Sequence, residues 1–184
     1  VPWICDDNYD HSMEMLRTAK ADLCFGHLEI KGIEMQNGVI NEHGLSKSDF
    51  KRFDRVVSGH FHKHTDDGQI FYCGAQYEMT WSDYQDPKAF HIFDTETREL
   101  TRISNPLTIH KKIIYDDKKK DYTNFDIQPY NNHFIKLIVL NKTNEEVFDK
   151  FLERLYNEIT VHDLNIVEDY SDIKASVRED ILEM

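Results

Sequence analysis

The chain has 184 residues and a formal net charge of −12, with 22 Lys and Arg against 34 Asp and Glu. That balance speaks against a large, sequence-independent DNA-contact surface, while 40% hydrophobic and 12% aromatic content exclude wholesale disorder. No apolar run approaches the ~20 residues of a membrane span, no signal peptide is visible, and Cys5, Cys24 and Cys73, with no Cys-x-x-Cys, fit a reducing compartment rather than a disulfide framework or structural zinc.

In chain order, Val1 to Ile4 reads as the end of a strand and Cys5-Asp6-Asp7-Asn8 as a polar loop. Met13, Leu16 and Ala19 fall on helical spacing and predict an amphipathic helix over Tyr9–Lys20. Asp22 to Phe25 then reads as a strand, which gives a β-α-β order and an α/β fold. Leu28 to Ile40 carries Gly32 and Asn37-Gly38, a turn signal between short extended pieces. Such a loop is either a surface hairpin or part of a substrate cleft. Ser46, with Asp49 three residues on, marks the start of a short helix ending near Phe53.

Arg55 to Ser58 is a short buried strand, followed by Gly59-His60-Phe61-His62-Lys63-His64. In an extended segment, residues two apart share a face. His60 and His62 are therefore expected to converge, with Phe61 turned toward a core. Neutral imidazoles at one point suit a transition metal. The bland alternative is a pair of loop histidines bonded to backbone. Asp22-Leu23-Cys24-Phe25-Gly26-His27 repeats the same grammar: an apolar run, a glycine, a histidine. In open α/β sheets, sites form outside the carboxyl ends of strands, so two such strands would bring His27 to His60 and His62. His64 is expected to leave this site as the chain enters the Asp67-Gly68 hairpin.

Ala89 to Asp94 and Glu99 to Ile103 predict another hairpin, with a second sheet packed on the first. Thr108 to Tyr115 is a further β-like run. Asp116 to Asn132 is polar and is expected to hold a domain boundary. Phe134 to Leu140 predicts a strand. Thr143 to Glu146 caps a helix whose Val147, Phe148, Phe151, Leu152, Leu155 and Ile159 lie on one stripe, and Leu164 to Val167 is a second strand. Ala175 to Met184 reads as helical. Lys111-Lys112 and Lys118 to Lys120 form the basic cluster of the chain, read as a solvated loop.

Gly26-His27-Leu28 and Gly59-His60-Phe61-His62 resemble the last two metal motifs of the calcineurin-like metallophosphoesterases, and within them the SbcD family of DNA-repair nucleases. Tyr72-Cys73-Gly74-Ala75 and Lys88-Ala89-Phe90 are similar to segments that follow the double histidine there, closest in wording to the nuclease subunits of T-even-type bacteriophages. The family's earlier motifs, Asp-x-His, Gly-Asp-x-x-Asp and Gly-Asn-His, do not occur. The resemblance implies the C-terminal portion of a longer enzyme. Residues 1–115 would be part of a two-sheet metallophosphoesterase sandwich, and 116–184 a small β-α-β capping domain plus the start of a C-terminal helix. It implies two divalent ions, manganese, with His27 and His60 serving one and His62 the other. It further implies DNA as substrate, an SbcC-like ATPase partner, a homodimer, an intracellular setting and no activity in these residues alone. A calcineurin-like phosphoesterase acting on small nucleotides or phosphoproteins, and a non-catalytic partner-binding module, are the alternatives.

Overall fold

Short β-branched and aromatic runs, each stopped by a glycine or a polar turn, become the strands of this chain. The computed structural model describes residues 1–36 and 38–168. It is mixed α/β, with several small sheets and two α-helices among the described residues. Two units divide the chain, Val1–Leu107 and a second beginning at Thr108.

In the first unit, α1 (Tyr9–Thr18) precedes β1 (Leu23–His27). β2 (Glu34–Gln36) and β3 (Val39–Ile40) form a small hairpin, and a 3-10 turn spans Lys47–Phe50. Its capping box is the expected one: the Ser46 hydroxyl accepts from Ser48 N–H at 3.2 Å and Asp49 accepts from Ser46 N–H at 3.0 Å. β4 (Arg55–Gly59), β5 (Thr65–Asp66) and β6 (Ile70–Tyr72) complete a four-stranded sheet in the order β1-β4-β6-β5. β1 and β4 are parallel, as are β4 and β6, while β5 and β6 form the Asp67-Gly68 hairpin. Arg55 braces that hairpin with two bonds to Asp66, at 2.9 and 2.6 Å.

Side chains alternate across this sheet. Cys24, Val56, Ile70 and Tyr72 join Leu16, Leu28, Ile30, Phe50 and Phe61 in one core. The opposite face meets β7 (Ala89–Phe93) and β8 (Leu100–Ser104), a hairpin whose Phe93 and His91 lie 5.1 and 4.9 Å from Phe25 and Phe71.

Two expectations are corrected here. Val1 to Ile4 is not a strand: the Val1 ammonium donates to Phe25 O at 2.6 Å, but no ladder follows. The short helix expected from Ser46 to near Phe53 is a 3-10 turn, Lys47–Phe50.

In the second unit β9 (His110–Asp116), β10 (His133–Asn141) and β11 (Val161–Val167) form a parallel sheet in the order β11-β10-β9, with α2 (Glu145–Asn157) between β10 and β11 in sequence. β10 pairs with β9 and β11, not with the sheet of His60. The stripe of α2 buries Phe148, Phe151 and Leu155 against Ile113, Tyr115, Ile135 and Leu137. Asn144 caps it, its side chain accepting from Val147 N–H at 3.2 Å. The β-like run of residues 108–115 thus belongs with the β-α-β unit, so the break falls earlier than the polar stretch suggested. That stretch is itself partly core: Tyr122 and Ile127 are buried, and the Tyr122 hydroxyl donates to Ile114 O at 2.6 Å. Lys111 and Lys112 lie within β9 rather than in a solvated loop. Ala175 to Met184 lies outside the described residues.

Candidate functional site

β1 and β4 run parallel in a register that sets His27 beside Gly59, so the residues leaving both strands meet at the same carboxyl edge. Buried polar bonds fix the exits. Leu28 N–H donates to the Ser58 hydroxyl at 2.9 Å, and the Tyr72 hydroxyl donates to Leu28 O at 2.8 Å. Tyr72 is fully buried, and burial pushes its phenol pKa upward. These contacts hold the backbone immediately after His27.

The His27 and His60 rings stand edge to face, centroids 5.3 Å apart. His27 lies directly over Gly59: a Cβ there would sit 3.0 Å from His27 Nδ1. Trp3 covers the pair, 4.8 Å from His60 and 5.8 Å from His27. Burial first, then the neighbouring His27, hold the His60 imidazole below its usual pKa, with Glu29 acting in the opposite direction. A neutral ring is the form a metal takes.

The segment after Gly59 is a turn rather than an extended strand: β4 ends at Gly59 and His60 has φ +95°. A left-handed non-glycine residue costs about 1–3 kcal/mol and marks a backbone held by its surroundings. His60 faces His27, and His62 is directed to Asp83, its Nδ1 lying 3.1 Å from both carboxylate oxygens. Both still line one groove, with Glu29, Met35, Asn41 and Asp83. Glu29 also lines a second groove with Trp3, Tyr9 and His27. Phe61 turns into the core as expected, 4.8 Å from Tyr72. His64 faces elsewhere, with Nδ1 bonded to Tyr72 O at 2.7 Å.

Three residues that were not read as site residues from the sequence shape this edge. Asp83 and Lys88 are each 2% exposed at the side chain and bonded at 2.9 Å. Ser58 is the third. Asp83 lay in view as the acid three residues after Thr80, the spacing of a capping box, and its carboxylate does accept from Thr80 N–H at 2.9 Å. Nothing in the sequence alone points from there to His62. Gly74 has φ +74°, and a Cβ on it would approach His64 N to 2.9 Å and His62 O to 3.0 Å. The turn at Tyr72-Cys73-Gly74 is therefore the packing surface for the double-histidine segment.

As a metal site this edge supplies imidazole donors, which suit a transition ion. His62 also has the carboxylate behind its second nitrogen that metal-ligating histidines usually have. Among the described residues, no group of three or more His, Cys, Asp or Glu side chains is gathered to hold an ion by itself. The donors thus fit the group in kind, and a closed site would need further ligands. Cys24 is buried, Cys73 half-buried, and burial raises both thiol pKa values, which disfavours a thiolate nucleophile.

A mixed α/β scaffold with histidines converging at the carboxyl edge of parallel strands is the class that these observations define. No family model matches the chain. Over 182 residues, 98% of its length, it is 33% identical to exonuclease subunit 1 of Enterobacteria phage T4, and it spans about half the length of that relative. No helix among the described residues is long and apolar enough to cross a membrane.

Proposed function

We propose that these residues form part of a DNA nuclease subunit, one that hydrolyses phosphodiesters with two divalent ions, manganese, and works with an SbcC-like ATPase as a homodimer. The observation that carries this reading is the pairing of His27 with His60, 5.3 Å apart at adjacent parallel strand ends, in a chain similar to a phage exonuclease subunit. His27 and His60 would hold one ion and His62 the other. Bound there, divalent ions supply a water of lowered pKa and neutralise charge on the phosphate. The chain's own part is to orient. Gly59 clears room for His27, the left-handed turn at His60 aims that ring at it, and Trp3 packs on both rings. The remaining donors would come from beyond these residues, so residues 1–184 alone are expected to be inactive. The negative net charge is compatible with this reading, because bound cations rather than a basic surface would hold the phosphate.

The test is His62→Ala in the full-length protein, assayed for manganese-dependent DNA cleavage beside thermal melting. Cleavage is expected to disappear while the melt is retained, since His62 is partly exposed and contributes no core packing. An active variant refutes the reading. A variant that simply unfolds assigns the double histidine a structural role.

A further inference from the structure

His62 belongs to a buried polar chain rather than standing alone. Its Nδ1 lies 3.1 Å from both oxygens of Asp83. Asp83 Oδ2 accepts from the backbone N–H of Met79 and of Thr80, each at 2.9 Å. Asp83 Oδ1 accepts from Lys88 Nζ at 2.9 Å. The Lys88 ammonium also donates to Asp86 at 2.6 Å and to the backbone carbonyl of His62 itself at 3.1 Å. One buried cation therefore ties down both the main chain of His62 and the carboxylate behind its ring.

We propose that Asp83, clamped by Lys88 and two backbone amides, is a positioning residue that fixes His62 as the Nδ1–H tautomer and presents its Nε2 lone pair to the groove shared with His60. An ionised carboxylate is acceptor-only, so the hydrogen between the two groups must reside on the imidazole. Oδ1 already accepts from an ammonium and Oδ2 from two backbone N–H groups, the surroundings of a carboxylate rather than of a carboxylic acid. A network of two buried charges with all partners supplied is a costly way to pack a loop. Its geometry is suited to holding one imidazole with one nitrogen outward. The metal part of this inference rests on the nuclease reading. The tautomer does not.

The experiment uses the full-length protein with 15N-labelled histidine, above neutral pH, and reads the ring nitrogens of His62 by two-bond 1H–15N correlation. Manganese binding is titrated in parallel. The wild type is expected to show the Nδ1–H form. The key variant is Asp83→Asn with Lys88→Met. Its amide oxygen should stay on the Met79 and Thr80 N–H groups, which replaces one of the two acceptors facing His62 Nδ1 by an NH2 donor. Removing the lysine avoids placing an ammonium against that NH2. His62 should then shift toward the Nε2–H form, and manganese affinity should fall about 10–100-fold, a pairing that loss of packing alone would not produce. A wild type already in the Nε2–H form overturns the proposal without any variant. So does a folded variant that keeps both the tautomer and the affinity. If the tautomer reverses as expected but the wild type takes up no manganese, positioning stands and the nuclease reading fails.

Discussion

The parallel strands of the two units finish in opposite ways. In the second unit, β9 ends at Asp116, whose carboxylate accepts from Asn141 Nδ2 at 2.9 Å and from Lys118 N–H at 3.2 Å. Asp117 beside it accepts from Thr143 and Asn144 N–H, at 2.6 and 2.9 Å, and so steadies the entry to α2. The polar groups at that edge serve the fold's own backbone. In the first unit the corresponding edge carries His27 and His60. Their ring nitrogens bond to no described residue, the strand ends on a glycine, and the next residue is left-handed. Polar groups tied to nearby backbone mark a finished edge. On the nuclease reading proposed above, the imidazoles beside the strained turn at His60 are the open positions of this edge.

The comparison can be broken first by truncating one aromatic in each unit. Phe151 is 1% exposed and rings itself with Tyr115, Tyr122 and Phe125, at 5.4 to 5.6 Å. Phe151→Ala should cost about 3–5 kcal/mol, read as faster amide exchange in β9, β10 and β11. Phe61 is 6% exposed and packs on Tyr72 and on the His60 ring. Phe61→Ala should lie at the lower end of that range, and it should also weaken manganese binding by loosening the turn between His60 and His62. If Phe61→Ala destabilises β4 and β6 without touching metal affinity, the core does not support the site in the way the contacts imply.

A smaller effect is expected at Gly59. The Cβ of Gly59→Ala would meet His27 Nδ1 at 3.0 Å, so the ring must give by a few tenths of an ångström. Stability should change by about 1 kcal/mol or less, within the range of mild overpacking. Manganese affinity should fall more steeply, because ligand placement tolerates little error. Equal loss of both in melting and titration experiments would make Gly59 a packing residue only.

Much of this was legible in the sequence where one residue decides one thing. The Asp67-Gly68 turn, the Ser46 and Asn144 caps and the stripe of α2 follow from local chemistry, and each forms as read. The convergence of His27 and His60 was legible because a repeated apolar-Gly-His pattern needs only parallel pairing to bring its ends together. The turn at His60 and the contact of His62 with Asp83 were not, because alternation assumes an extended chain and both depend on tertiary contacts. Asp83 and Lys88 were hidden for a related reason. Their chemistry resides in long-range partners, and a buried ion pair looks like ordinary surface charge when read along the chain. The polar stretch before β10 misled in the other direction: Tyr122 and Ile127 sit among charged residues yet fill the second core.

The weakest expected effect lies behind the site, at His91. Its ring meets Phe71 edge to face at 4.9 Å and His64 at 5.3 Å, and both ring nitrogens are buried without a hydrogen-bond partner among the described residues. Arg102 faces it from the paired position on β8. Burial, then His64, then Arg102 all lower the His91 pKa from its ordinary 6.5. The unfolded chain therefore takes up this proton more readily than the folded one. The contribution of neutral His91 is fully present above about 6.5 and is lost as pH falls from there toward the lower folded-state value. His91→Leu replaces the imidazole by an apolar group of similar size, which suits the contact with Phe71 and leaves no proton to bind. Melting temperatures from pH 7.5 down to 5 should fall less for His91→Leu than for the wild type, with the two curves closest at the alkaline end. The difference between the two curves is the quantity that reports on His91. Parallel curves would mean that its nitrogens find partners in solution, and that the hairpin packs less tightly on the sheet than these contacts indicate.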